Sequence, residues 1–162
     1  MSACSTKSYQ RMTGVKFMSE IISPMGKHYS YISSKLDTAY HDAALKLGLS
    51  DSAMRILYTI CLEGESCLLS DIISLSGISK QTINSALRKL EKENIVYVEN
   101  AVGRKKRVCL TNDGKDLSES TAFKVLQIEN EILNTWTEEE QQLYLELTER
   151  FLTSFKSKLS EL

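Results

Sequence analysis

The chain is poor in several features on which whole protein classes depend. It contains one proline and two histidines among 162 residues. No apolar run approaches the roughly 20 residues that a membrane-spanning helix needs, and the first residues lack the apolar core of a secretory signal. These absences favour a cytoplasmic protein. The composition, 42% apolar and 25% charged, predicts one substantial hydrophobic core.

Sequence motifs for catalysis and metal binding are also missing. There is no glycine-rich phosphate loop, no G-x-S-x-G and no Cys-x-x-Cys. His28 and His41 fall on one predicted helix but lie more than three turns apart, so they cannot share a metal by themselves. We therefore expect no enzymatic activity, no cofactor and no metal.

The four cysteines are scattered, which in a cytoplasmic chain predicts reduced thiols. Cys61 lies on an apolar helical stripe and Cys109 in a β-rich run, so both are expected to be buried. Cys4 and Cys67 lie among polar residues, where an oxidant can reach them. A redox signal through one of those two thiols is therefore an open alternative.

The most informative stretch begins with two short helical patterns. The first ends at Ser76-Gly77, and the second begins after Ser79, whose hydroxyl can cap its free amides. This spacing is typical of a helix-turn-helix. Apolar residues at three- and four-residue steps predict one buried stripe on the second helix: Ile83, Ala86, Leu87 and Leu90. No acid occurs from Ser79 to Leu90, a pattern that favours contact with an anion.

Two β-rich runs, residues 95–98 and 107–110, follow this second helix. A turn containing Gly103 and the basic run Arg104-Lys105-Lys106 separates them, which predicts a hairpin with a cationic tip. A helix-turn-helix followed by such a hairpin is a winged helix. Residues 79–107 hold eight basic and three acidic side chains, whereas residues 108–162 hold five and eleven. This local cationic patch would gain counterion-release energy on a nucleic acid duplex.

Longer helices are predicted on both sides of the winged segment. Pro24 suits the first turn of a helix that ends at Gly48, and Ser50 caps the next one. After a turn at residues 112–114, one helix is predicted to run as far as Trp136. A last helix of roughly six turns follows a capping box, Thr137 with Glu140. Its apolar stripe is expected to pack on a second copy of the chain, although burial within one chain is the alternative.

The predicted fold class is mainly α with a small β wing. A winged helix-turn-helix core occupies residues 50–111, and long dimerisation helices occupy residues 20–48 and 113–162. Residues 20–162 are expected to form one domain. Residues 1–19 are polar and predict either a flexible tail or an arm that crosses to a partner subunit.

The order of these motifs resembles the multiple antibiotic resistance regulator (MarR) family of bacterial transcription factors. The specific part is G-I-S-K-Q-T-I-N from Gly77, L-x-K-L-E-K-E-N-I-V from Leu87, and Arg104 followed by V-C-L-T-x-x-G from Val108. The resemblance implies a homodimeric regulator, more often a repressor, that binds a palindromic operator in double-stranded DNA. It also implies release by a small molecule, often a phenolic or aromatic acid.

Two positions depart from the pattern of the family. Val102 stands where an acidic residue usually orients the wing-tip arginine, so we expect Arg104 to be oriented by Asn100 or by the backbone. Asn94 stands where glycine is usual, and asparagine also adopts left-handed backbone conformations.

We assign DNA contacts to the polar face of the second helix and to the wing. Gln81, Thr82 and Ser85 are the candidates for reading base edges. The candidates for phosphate and backbone contacts are Ser70, Lys80, Asn84, Arg88, Lys89, Arg104, Lys105 and Lys106. The alternative is a winged-helix module for protein–protein interaction, whose cationic face meets an acidic partner.

Aromatic and polar residues of the first two helices are candidates for an effector site. Those expected to line such a cavity are Tyr29, Tyr40, His41, Arg55 and Tyr58. Aromatic residues at helical spacing are more often part of a core, which is the alternative for this set.

Overall fold

The structure, a computed structural model, describes residues 22–162. The predictions for residues 1–19, including Cys4, fall outside the described residues. Within the described part the helices are α1 (Pro24–Lys46), α2 (Asp51–Leu62), α3 (Leu69–Leu75), α4 (Lys80–Lys92), α5 (Asn112–Ser120), α6 (Ala122–Leu133) and α7 (Glu138–Leu159). The strands are β1 (Ser66–Leu68), β2 (Val96–Asn100) and β3 (Lys106–Leu110).

The chain divides into two compact units between Asp42 and Ala43. The described part of the first unit, residues 22–42, holds most of α1, which begins at Pro24 as predicted. Its apolar stripe is little buried, since Ile32 and Leu36 are each 52% exposed. None of the helices within residues 22–162 is long and apolar enough to cross a membrane.

The second unit, Ala43–Leu162, contains the helix-turn-helix. The Ser50 side chain caps α2 as predicted, accepting a hydrogen bond of 3.3 Å from the backbone N–H of Ala53. The side chains of α2 and its neighbours form a closed apolar core, whose largest fully buried members are Ile56, Leu57, Ile60, Ile72, Ile83 and Val108. Burial of each such side chain contributes about 1.5–3 kcal/mol, so this core holds the two helices of the helix-turn-helix together.

The sheet is antiparallel with the strand order β1-β3-β2. The predicted hairpin is confirmed, with Val98 opposite Val108, although both strands extend one or two residues toward the tip beyond the predicted runs. Strand β1 was missed in the sequence. Its three residues are too few to show alternation, and its pairing of Cys67 with Val108 joins segments about forty residues apart.

The prediction of one helix up to Trp136 is wrong. The chain breaks at Thr121, which has φ −130° and ψ −92° and separates α5 from α6. Hydroxyl groups provide the physical reason, because Ser120 and Thr121 both donate to the carbonyl of Leu117, at 3.0 and 2.6 Å. Such side-chain bonds compete with the helical pattern of backbone bonds.

The last helix, α7, is confirmed together with its capping box. Thr137 accepts from the N–H of Glu140, and the Glu140 carboxylate accepts from the N–H of Thr137. No residue of α7 is buried. Its large apolar side chains are each between 43% and 60% exposed: Leu143, Tyr144, Leu145, Leu147, Phe151, Leu152, Phe155 and Leu159.

The cysteine environments differ from the predictions at two positions. The prediction of polar surroundings for Cys67 is wrong, because this residue lies in β1 and is only 3% exposed. Burial raises the pKa of the Cys67 thiol, and the nearby carboxylates of Asp71 and Glu63 raise it further. Cys109 is buried as predicted, whereas Cys61 is half-buried. A thiol with a raised pKa holds little thiolate at neutral pH, so Cys67 is poorly suited to react with an oxidant.

Candidate nucleic-acid interface

Helix α4 is amphipathic in a way that fixes which side chains it presents. Its stripe of Ile83, Leu87 and Leu90 is at most 4% exposed. The opposite face is exposed and carries most of the predicted contact residues: Lys80, Gln81, Thr82, Ser85, Arg88 and Lys89. Asn84 differs from them, because it is half-buried beside the apolar stripe.

The first turn of α4 is capped and has no acidic side chain. The Ser79 hydroxyl accepts from the N–H of Thr82 at 3.2 Å, and the two hydroxyl oxygens lie 2.9 Å apart. The partial positive charge of a helix N-terminus is therefore left without a local counter-charge. This electrostatic layout favours an anion near Lys80 and Gln81.

Farther along α4, one predicted contact residue has an internal partner. The Lys89 ammonium lies 3.9 Å from a carboxylate oxygen of Glu93, and both side chains are at least half exposed. Such an exposed pair is worth at most about 1 kcal/mol, so a phosphate can replace the carboxylate at little cost. Arg88 makes no hydrogen bond or ion pair with any of residues 22–162.

The wing tip is a short 3-10 turn from Val102 to Arg104. Two consecutive residues have left-handed backbone, Gly103 with φ 72° and Arg104 with φ 65°. A hydrogen bond of 2.8 Å from the N–H of Ala101 to the carbonyl of Lys105 closes the turn. Left-handed backbone is uncommon outside glycine and costs roughly 1–2 kcal/mol per residue. The backbone at the tip therefore fixes the direction in which the Arg104 side chain leaves the turn.

Of the two alternatives for orienting Arg104, Asn100 or the backbone, the first has no hydrogen bond to support it in residues 22–162. The Asn100 side-chain oxygen instead accepts a hydrogen bond of 2.8 Å from the Lys106 ammonium. Arg104, Lys105 and Lys106 are all exposed, and Val102 is 93% exposed beside them. The tip thus offers three cations and one apolar side chain to a partner.

Basic and polar residues at the base of the wing have internal roles. The Arg107 guanidinium donates to the Ser66 hydroxyl at 3.1 Å, which ties β3 to β1, and the side chain is half-buried. Ser70, a predicted contact residue at the start of α3, is exposed and donates to the Asp71 carboxylate at 3.1 Å. Of these two, only Ser70 remains a surface candidate.

A groove of about 400 Å³ runs beside α4 and is lined in part by residues that were not predicted as contacts. It is lined on one side by Thr82, Ser85 and Lys89 and on the other by Ser50 and Ser52. Ser50 was recognised only as a helix cap. The sequence held no further signal, because α2 and α4 are brought side by side by the core beneath them.

The effector candidates are divided between the two units of the chain. Arg55 is exposed and donates to the carbonyl of Ser76 at 3.2 Å, and the Tyr58 hydroxyl donates to the Glu129 carboxylate. Both polar groups therefore hold elements of the second unit together. The other three candidates, Tyr29, Tyr40 and His41, lie on exposed positions of α1. Within residues 22–162, no three His, Cys, Asp or Glu side chains are placed to hold a metal ion.

Comparison with known proteins identifies the family of this winged segment. The family model described as "MarR family" matches residues 47–107, which span α2, the helix-turn-helix and most of the wing. Over these residues the chain is similar to the MarR family. No curated protein sequence matches it.

Solved structures extend the likeness of the MarR fold beyond the matched segment. A MarR family regulator from Neisseria meningitidis has 15% identity and a TM-score of 0.75, with 86% of this chain and 99% of that one covered. Staphylococcus aureus MepR in its DNA complex has 18% identity and a TM-score of 0.63, with 83% and 97% covered. NadR in complex with 4-hydroxyphenylacetate has 17% identity and a TM-score of 0.63, with 91% and 97% covered. The predicted winged MarR fold, mainly α with a small β wing, is thereby confirmed.

Proposed function

We propose that this MarR-type protein is a homodimeric regulator of transcription that binds a palindromic site in double-stranded DNA. The observation that carries the proposal is the exposed, acid-free start of α4 together with three exposed cations at the wing tip. Gln81, Thr82 and Ser85 are placed to meet base edges in a major groove. Arg104 is the candidate for insertion into the flanking minor groove.

Phosphate contacts supply most of the binding free energy in this proposal. Lys80, Arg88, Lys89, Lys105 and Lys106 are all exposed, and a dimer presents each of them twice. A protein that makes about 6–10 phosphate contacts loses roughly 10³–10⁵ in affinity between 50 and 200 mM salt. We expect a salt dependence of that size. The complex of S. aureus MepR with DNA supports this mode of binding.

The homodimer is supported by the exposed apolar side chains of α7 in the part of the chain that the structure describes. The apolar stripe of α7 has no buried member, and large patches of this kind mark protein interfaces. A dimer also has a functional reason, because two lobes held about one DNA turn apart, roughly 34–36 Å, read a palindrome with multiplied specificity.

Regulation by an effector is the part of the proposal that rests most on relatives. NadR binds 4-hydroxyphenylacetate, and a similar aromatic acid here would act through Tyr29, Tyr40, His41, Arg55 and Tyr58. Such a ligand regulates only if its affinity differs between two dimer geometries. We propose repression that is relieved by the ligand.

Selection from a random pool of DNA duplexes tests the central claim. The expected result is an enriched sequence with two inverted half-sites about 10 base pairs apart, centre to centre. If no sequence is enriched and the protein instead binds an acidic protein in a salt-sensitive way, the result would support a module for protein–protein interaction.

Removing one arginine at a time tests the assignment of the site. Arg88→Ala and Arg104→Ala are each expected to weaken binding to the selected duplex about tenfold or more, since a charge-assisted contact is worth roughly 1.5–3 kcal/mol. The matched control is Lys124→Ala, which removes one exposed positive charge from α6. Gel-shift titration at fixed salt gives the affinities. Equal losses in the control and in the two arginine variants would contradict the assignment.

A further inference from the structure

A hydrogen-bonded junction joins the end of α4, the end of β3 and the start of α5. Asn94, with φ 58°, is the residue at which the chain leaves the end of α4. The Thr111 hydroxyl donates to the carbonyl of Asn94 and accepts from the N–H of Gly114 at 3.0 Å. The N–H of Thr111 donates to the carbonyl of Ile95 at 3.1 Å. Two consecutive carbonyls after α4 are therefore bound by one threonine.

Gly114 lets α5 rest directly against the carbonyl of Ile95. A β-carbon at residue 114 would lie 2.0 Å from the carbonyl oxygen of Ile95 and 3.0 Å from its carbon. No side chain can be accommodated at that distance without moving the backbone. The predicted turn at residues 112–114 is instead the first turn of α5, with Thr111 as its cap. Close packing of two backbones thus sets where α5 begins relative to α4.

Asn94 adds a side-chain bond to these backbone contacts. Its amide nitrogen donates to the Asp113 carboxylate at 2.9 Å. Glycine would satisfy the left-handed backbone at position 94 with less steric cost, but glycine has no donor to offer. Asp113 also lies in the first turn of α5, where a carboxylate is favoured by the helix dipole. One pair of side chains therefore links the C-terminus of α4 to the N-terminus of α5.

We infer that Asn94 and Asp113 are a positioning pair, which holds the base-reading face of α4 at a fixed orientation to the helices that follow the wing. This inference rests on the proposed DNA binding. Hydrogen bonds to base edges need donors and acceptors placed to within about 0.5 Å, so a small rotation of α4 removes them. Long lysine and arginine side chains can follow a phosphate through the same rotation. Loss of the pair should therefore reduce discrimination between sequences more than general affinity for DNA.

The test compares affinities for the selected duplex and for a scrambled duplex. Asn94→Asp places two carboxylates against each other, and we expect the ratio of the two affinities to fall about fivefold. The exchange Asn94→Asp with Asp113→Asn restores the bond with donor and acceptor reversed, and aspartate also tolerates left-handed backbone. The ratio should return to within twofold of the original protein.

A matched control separates geometry from charge. The control variant combines Asn94→Asp with Asp116→Asn and has the same net charge as the exchange. It removes an exposed carboxylate that makes no hydrogen bond to Asn94 in the described chain. We expect no recovery in this variant. All affinities are measured at a temperature at which circular dichroism shows every variant to be folded.

Three outcomes would overturn the inference. If Asn94→Asp lowers the melting temperature but leaves the affinity ratio unchanged, the pair only stabilises the fold. If both double variants recover equally, charge explains the effect. If the original protein distinguishes no duplex from its scrambled form, the proposed function fails first, and the positioning role fails with it.

Discussion

Helices α4 and α7 are both amphipathic, but the apolar stripe of α4 is buried and that of α7 is exposed. The stripe of α4 is closed inside the lobe, with Ile83 fully buried. The stripe of α7 has no cover within residues 22–162, and Phe151 and Phe155 stack on each other with ring centroids 5.8 Å apart. The same sequence pattern therefore builds the core of the lobe in one place and leaves an exposed apolar surface in the other.

The largest expected effect comes from opening the buried stripe. Ile83→Ala removes a fully buried side chain at the centre of the core. Such truncations cost about 2–5 kcal/mol, through lost burial and the cavity left behind. The urea midpoint of the variant should be lower than that of the original protein. This difference should be the same at every protein concentration, because the lost contacts lie within one chain. A loss that disappears at high protein concentration would place Ile83 in an interface instead.

Next comes a charge placed in the uncovered stripe. Phe155→Asp introduces a carboxylate beside Phe151, and burying an unpaired charge in an apolar interface costs several kcal/mol. We expect sedimentation velocity to show single subunits at micromolar concentration, with secondary structure retained. Ser157→Asp adds the same charge two residues farther along the helix and should leave the dimer intact. Identical sedimentation of the two variants would argue against α7 as the dimer surface.

The smallest effect is expected on the exposed face of α4. Lys89→Ala breaks the exposed pair with Glu93, and the free energy of unfolding should change by no more than about 0.5 kcal/mol. Duplex affinity should nevertheless fall, and the slope of its logarithm against the logarithm of salt concentration should decrease by roughly one unit. Calorimetric melting and binding titrations measure the two quantities separately. A large loss of stability would show that this face is not free to serve a partner.

Local chemistry explains which parts of the fold were predictable. Caps at Ser50, Ser79 and Thr137 mark helix starts through a bond between residues three apart, so they can be recognised in the sequence itself. Strand β1 and the break at Thr121 could not be found in this way. Strand β1 needs a partner strand far along the chain. The break at Thr121 depends on a hydrogen bond from its hydroxyl to a backbone carbonyl, which the sequence does not reveal.

The candidate interface was predictable on the same terms. The polar face of α4 followed from the position of its buried stripe, and the cationic wing tip followed from composition. Pairwise contacts did not follow. The bonds from Lys106 to Asn100 and from Arg107 to Ser66 each depend on the register of the sheet, which fixes which side chains face one another.

The position of β2 has a consequence for how the protein behaves at high concentration. Within the described chain β2 pairs only with β3, so β2 is an edge strand whose outer backbone amides and carbonyls are unpaired. Edge strands of this kind can pair between molecules and start aggregation. Here the edge strand β2 leads into the wing tip, which carries the cations Arg104, Lys105 and Lys106. Two wings that approach side by side therefore repel each other. The charges that would attract DNA thus also keep the wings of separate molecules apart.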